Sequence, residues 1–283
     1  MSDLATDLAA LAEAFSGRAG IAARNLTTGE EAIYNDRERF PTASIIKILI
    51  LFELFRQHER GSAQLWERVT LRNQDRTQGS GLLVSSDEGL NPTLRDLAVF
   101  MMAISDNTAT NLLIDRLGRH AINVAIREAG LFDTELRHRI DFDLIRQSND
   151  NLAVGTPRDF CDFLSHLWRG ELISAGSVAE MLAIMRIQKY IEPIRRHLPY
   201  SPYAEEFGET QRIWIASKTG GLKGVRCEAG LVGVPQATYA LCVMTKDCPD
   251  PTITCDHEGS HFISAVSRRV FEAWGGESTS APA

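Results

Sequence analysis

The chain has 283 residues, with 30 basic and 37 acidic side chains for a net charge of −7, and 44% of its residues are hydrophobic. That length and apolar share allow one large domain or two small ones around a substantial core. The acidic balance, without any basic run to track a phosphate backbone, excludes nucleic acid as a partner.

Residues 3 to 16 place Leu4, Leu8, Leu11 and Phe15 at helical spacing, with Ser2 or Asp3 as cap, and predict an amphipathic helix. Gly20 to Leu26 and Glu31 to Tyr34 read as two short strands joined through Thr27-Thr28-Gly29-Glu30. A strongly apolar helix carrying Ser44 follows and should end near Gly61. From about residue 62 to 185 the composition is helical. Predicted helices run Thr93 to Ile104, Thr108 to Leu117, His120 to Ala129, Pro157 to Trp168 and Ser174 to Met185, with breaks at Asn107, Gly118, Gly130 and Gly170. Asp133 to Gly155 is polar and lacks clear periodicity, and a loop of that length is expected to be functional or disordered. Residues 199 to 211 are irregular, as is a short Ser/Pro/Ala tail expected to be disordered. Strands return at Arg212 to Ser217, Glu228 to Val234 and Thr238 to Thr245, and a helix from about Glu258 to Trp274 closes the chain.

This order predicts an α+β fold: an antiparallel sheet built from both chain ends and flanked by the terminal helices, with an all-helical region inserted. The division expected is 1–38 with 186–283 for the sheet region and 39–185 for the helical region carrying Ser44, with the site between them. No segment holds the roughly 18 uninterrupted apolar residues of a membrane span. Met1 to Asp7 lacks the basic start and apolar core of a secretory signal, so a cytoplasmic protein without a membrane partner is expected. The five cysteines, Cys161, Cys227, Cys242, Cys248 and Cys255, are odd in number and have no repeated spacing, which argues against a disulfide framework. Cys248, Cys255, His257 and His261 match no common zinc spacing, and no metal or other cofactor is expected.

Three short motifs carry the chemistry. In Ser44-Ile45-Ile46-Lys47 a hydroxyl and an amine three residues apart meet on one helical face. A serine hydroxyl is a weak nucleophile until a base takes its proton, and a lysine serves if burial keeps it neutral. Ile45, Ile46, Ile48, Leu49, Ile50 and Leu51 supply that burial. Ser105-Asp106-Asn107 sits in a break between helices, where each residue type also caps well. Lys218-Thr219-Gly220-Gly221 ends a predicted strand, where a glycine turn with a surface lysine is the plain alternative.

In this order the three motifs resemble those of the class A beta-lactamases and the related penicillin-binding proteins. Gly79-Ser80-Gly81, the run Ser105 to Leu113, Thr156-Pro157-Arg158-Asp159 and Gly224-Val225-Arg226 extend the resemblance from about residue 3 to 275. It implies a serine hydrolase working through an acyl-enzyme on an amide bond of a small molecule that bears a carboxylate. The catalytic residues it implies are Ser44 as nucleophile and Lys47 as its proton acceptor. Ser105 becomes the relay to the leaving nitrogen, Asn107 the holder of Lys47 and the substrate amide, and Lys218 a positive charge beside Ser105. Thr219 joins Lys218 in receiving the carboxylate, with Arg226 as a second contact. The backbone N–H groups of Ser44 and Gly221, next to Gly220, form the oxyanion hole.

The family carries Arg-x-Glu-x-x-Leu-Asn in its long loop, where Glu and Asn hold the hydrolytic water. Here the segment reads Arg139-Ile140-Asp141-Phe142-Asp143-Leu144-Ile145. Asp141 takes the glutamate's place with a shorter side chain, Asp143 competes for that role, and Ile145 replaces the amide. The expected activity is therefore beta-lactam hydrolysis with slow deacylation. The alternatives are a cytoplasmic amidase, esterase or acyltransferase acting on a non-antibiotic substrate, and a non-catalytic binding domain. A Ser-His-Asp hydrolase is disfavoured because no G-x-S-x-G elbow is present.

Overall fold

The structure, a computed structural model, describes residues 3–190, 193–204 and 206–275; the expected disordered tail and the Ser2 cap lie outside the described residues. The N-terminal helix α1 (Leu4–Ala14) leads into β1 (Arg18–Asn25) and β2 (Glu31–Tyr34), and a two-residue strand β3 (Phe40–Pro41) precedes the Ser44 turn and α2 (Lys47–Glu59). After two 3₁₀ turns come α3 (Leu94–Ala103), α4 (Asn107–Leu117) and α5 (Arg119–Glu128). The chain continues through β4 (Glu135–Leu136), α6 (Phe142–Gln147), β5 (Ala153–Gly155), α7 (Pro157–Trp168) and α8 (Ala175–Arg186). It ends with β6 (Trp214–Leu222), β7 (Val225–Val234), β8 (Ala237–Lys246) and α9 (Glu258–Trp274).

The main sheet has the order β2-β1-β8-β7-β6 and every pairing is antiparallel. Both of its faces are buried, and side-chain alternation sorts them. On β8, Tyr239, Leu241 and Val243 join Leu8 of α1 and Ile263, Val266 and Val270 of α9 in one apolar cluster. Ala240, Cys242 and Met244 point the other way, into a second cluster with α2, α3, α4, α7 and α8. On that face Ala22, Ala216, Ala229 and Ala240 are small, which allows the helical layer to approach the strands closely. The helical region and the sheet thus share one core.

Three expectations differ from what is observed. Ser44 is not inside the helix but in a 3₁₀ turn, Ala43–Ile46, and α2 begins at Lys47. In a 3₁₀ turn positions i and i+3 eclipse, so the tighter winding brings Ser44 and Lys47 onto one line. Lys218-Thr219-Gly220-Gly221 does not end its strand: β6 runs on to Leu222, and β7 begins three residues earlier than expected, at Val225. The turn is Lys223-Gly224, with Gly224 at a φ of +67. The polar segment Asp133 to Gly155 is ordered. It holds β4, α6 and β5, and β3, β5 and β4 form a small second sheet. No helix among the described residues is long and apolar enough to cross a membrane.

Candidate active site

Four segments converge on one cleft of about 1480 Å³, whose lining includes Ser44, Ser105, Ile145, Thr219, Gly221 and Arg226. The Ser44 turn seats against β6 because Gly220 lacks a side chain: a Cβ there would stand 2.9 Å from Ser44 N and 3.0 Å from Thr42 O. Ala43, with a φ of +45, stands in the left-handed region that non-glycine residues rarely adopt. Such strain survives only where the surroundings enforce it, and it clusters at functional sites.

Lys47 is fully buried beneath the cleft floor. Its Nζ lies 2.9 Å from Ser105 O, 3.0 Å from Ser105 Oγ and 3.1 Å from Asn107 Oδ1. The expected direct contact with Ser44 is not a hydrogen bond; among the described residues Lys47 is held by the Ser105-Asp106-Asn107 motif instead. Burial, with the positive charge of Lys218 adding to it and Asp106 opposing, holds the Lys47 amine well below the ordinary lysine range. A neutral amine has two hydrogens and one lone pair. Ser105 O and Asn107 Oδ1 can only accept, so they take both hydrogens and leave the lone pair for a hydroxyl.

The orientation of Asn107 is fixed, because its Nδ2 donates to Gln78 O at 2.9 Å and its backbone N–H donates to Ser80 O at 2.9 Å. This is the purpose of the Gly79-Ser80-Gly81 landmark. Cβ atoms at Gly79 and Gly81 would lie 2.6 Å from Asn107 Nδ2 and 2.3 Å from the Asp106 carboxylate, so only glycine lets the loop close over the motif. Asp106 caps α4 through Ala109 N and also accepts from Leu82 N and Leu83 N.

On the opposite wall Lys218 is fully buried too, and burial pulls its amine down to about 7 against the favourable charge of Glu228. Its Nζ donates to Thr219 O at 2.9 Å and to Gln188 Oε1 at 3.3 Å. Behind it Ser217 Oγ donates to Glu228 Oε1 at 2.7 Å and accepts from Arg195 Nη1 at 3.0 Å. Burial raises the Glu228 carboxyl, with Arg195 opposing. Arg226 lines the cleft, but its guanidinium braces the wall: Nη1 donates to Leu222 O and Val225 O, and Nη2 to Thr252 O.

The two loop aspartates sit elsewhere. Asp141 is exposed and caps α6, its Oδ1 accepting from Asp143 N at 2.8 Å and Leu144 N at 3.4 Å. Asp143 pairs with Arg146 on the surface. Neither lines the cleft; the loop presents Phe142 and Ile145 to it, and the one carboxylate among the described lining residues is Asp250. Asp250 is committed to Thr252 N and Glu258 N, at the start of α9. The loop itself is clamped by Asn111, which donates from Nδ2 to Ile140 O and accepts from Ile140 N.

Sequence reasoning missed Gln188, Arg195 and Glu228, which lie on separate segments without a motif. Their one sequence signal is charge and polarity amid apolar neighbours, as at Glu228 between Cys227 and Ala229. Among the described residues no group of three or more His, Cys, Asp or Glu side chains is placed to hold a metal ion.

Comparison with known proteins shows the same fold. A beta-lactamase from Sphaerobacter thermophilus superposes with a TM-score of 0.83 at 31% identity, over 95% of this chain and 96% of that one. PBP-A, in a variant solved as an acyl-enzyme complex with penicillin G, superposes with a TM-score of 0.81 at 29% identity over 95% of each chain. Solved class A beta-lactamases at lower identity share the fold. Beta-lactamase L2 of Stenotrophomonas maltophilia is 33% identical over 156 residues, 55% of this chain and 49% of that protein. The chain's matches span about half the length of its curated relatives, from 39% to 58%. The model of the beta-lactamase enzyme family matches residues 3–274, so the chain belongs to that family.

Proposed function

We propose that the protein is a serine hydrolase that opens beta-lactams through an acyl-enzyme on Ser44 and releases the product slowly. The observation that carries this reading is the buried Lys47 amine, held by acceptors at 2.9 Å and 3.1 Å so that its lone pair is left for a hydroxyl proton. In acylation the Ser44 oxygen attacks the lactam carbonyl carbon, and Lys47 takes the hydroxyl proton. Ser105, 3.0 Å from Lys47 Nζ, returns a proton to the leaving nitrogen as the C–N bond breaks. Thr219 N–H leaves β6 at the open edge of the sheet, toward Gln188. By strand alternation Gly221 N–H leaves on the same side and, with Ser44 N–H, serves as the oxyanion hole. Lys218 and Thr219 receive the substrate carboxylate, and Asn107 orients its amide.

Deacylation needs a base within hydrogen-bond reach of a water beside the ester. A loop that turns Phe142 and Ile145 toward the cleft, with the Asp141 and Asp143 carboxylates directed elsewhere, supplies none. That favours a second reading, penicillin binding or acyl transfer, in which an amine or alcohol replaces water as the acceptor. Peptide mapping after brief exposure to a penicillin tests the shared step. The adduct is expected on Ser44 alone, and an adduct on any other serine would refute the assignment.

A further inference from the structure

Gln188 lies just beyond α8, away from all three motifs, and is only 3% exposed. Its Oε1 faces three donors: Thr219 N at 3.1 Å, Thr219 Oγ1 at 3.2 Å and Lys218 Nζ at 3.3 Å. Its Nε2 donates to Ser217 Oγ at 3.2 Å. Ser217 gives its own hydrogen to Glu228, so it can only accept from Gln188. The amide can therefore point only one way. One side chain touches three consecutive residues of the edge strand, Ser217, Lys218 and Thr219, and joins the carboxylate-receiving pair to the buried Arg195–Glu228 network.

We propose that Gln188 is a positioning residue of this site: its carboxamide takes one hydrogen of the Lys218 ammonium, fixes that group at the cleft wall, and so sets the affinity for substrates that bear a carboxylate. The inference rests on the acyl-enzyme reading above. Lys218 has one other acceptor, Thr219 O. Without Oε1 its buried charge is left with half its hydrogen bonds, and the Thr219 N–H has no partner at the sheet edge. The groups facing Lys218 are Lys47 from α2, which opposes its charge, Glu228 from β7, which favours it, and Arg195, which pairs with Glu228. Since Lys218 titrates near neutrality, the acceptor on Gln188 also decides where carboxylate recognition fails as pH rises.

The test compares acylation of wild type, Gln188→Met and Gln188→Glu from pH 5 to 9. One substrate is a penicillin and the other an activated ester without a carboxylate. Gln188→Met is expected to lower kcat/KM for the penicillin about tenfold, through KM, and to move its alkaline limb to lower pH. The ester should change less than about twofold, since its recognition does not use the carboxylate receivers. Gln188→Glu places a carboxylate beside Lys218 and should move the limb about one unit to higher pH. Equal losses for both substrates, or limbs that do not move in opposite directions, would overturn the assignment. Should Gln188→Met fail to fold, the limb of Gln188→Glu decides alone. A wild type that neither substrate acylates overturns the acyl-enzyme reading itself; a wild type acylated normally, with unchanged variants, removes Gln188 only.

Discussion

Replacing Lys47 is expected to slow acylation of Ser44 by about 10³-fold or more, the scale on which members of a catalytic unit fail. Among the described residues the cleft has two buried amines, Lys47 and Lys218; Lys218 is held on the opposite wall by Thr219 O and Gln188, and beside Lys47 neither the Ser105 hydroxyl nor the Asn107 amide can take its role. Lys47→Ala leaves a cavity, so Lys47→Met, which fills similar volume without a lone pair on nitrogen, should be measured beside it. Single-turnover acylation followed by intact mass is the readout, with a thermal melt to show that both variants fold. Unchanged acylation in either folded variant would remove Lys47 from the mechanism.

Gly220→Ala is the second large effect expected. Its Cβ would fall 2.9 Å from Ser44 N and 3.1 Å from Ala43 Cβ, both in a turn already strained at Ala43. The clash must shift the turn or the strand, and either displaces an oxyanion-hole donor, worth about 10²–10³ in rate. Its neighbour is the control. A Cβ on Gly221 meets nothing closer than Arg226 Nη1 at 3.6 Å, an ordinary contact. Gly221→Ala should therefore keep acylation within about tenfold of wild type. Equal rates in the two variants would show that the close approach at Gly220 does not hold the nucleophile.

The parts of the site that were legible in sequence are those whose chemistry is local. Ser44 with Lys47, and Ser105 with Asn107, sit within one turn of each other, so spacing brings them to one neighbourhood, while the hydrogen bonds that hold Lys47 to Ser105 and Asn107 cross about 60 residues of sequence and were not legible. An antiparallel sheet built from both chain ends was legible through the strands there, though its strand order was not. Glycine misled the reading at Gly220-Gly221, because glycine weakens a strand and usually marks a turn; here its absent side chain lets β6 meet the Ser44 turn. At Asp141 the family resemblance implied a base, while the backbone after it begins α6 and uses the carboxylate as a cap, the ordinary role of an aspartate before a helix. Gln188, Arg195 and Glu228 were illegible for another reason. Their contacts span up to 34 residues of sequence and exist only once β6 and β7 have paired, so no local pattern announces them.

A nucleophile at Ser44 joined to a loop that offers no base for deacylation should trap its own acyl-enzyme. That trapping is tested by following a penicillin with wild type and Asp141→Ala, using quenched-flow intact mass for the acyl-enzyme and absorbance for product. A burst near one equivalent per enzyme and a slow steady phase are expected, with the acyl-enzyme as the dominant species throughout. Asp141→Ala should leave the slow phase unchanged within about twofold while losing about 1 kcal/mol of stability with the α6 cap. Rapid turnover without a burst in wild type, or a slow phase that collapses in Asp141→Ala, would contradict the account.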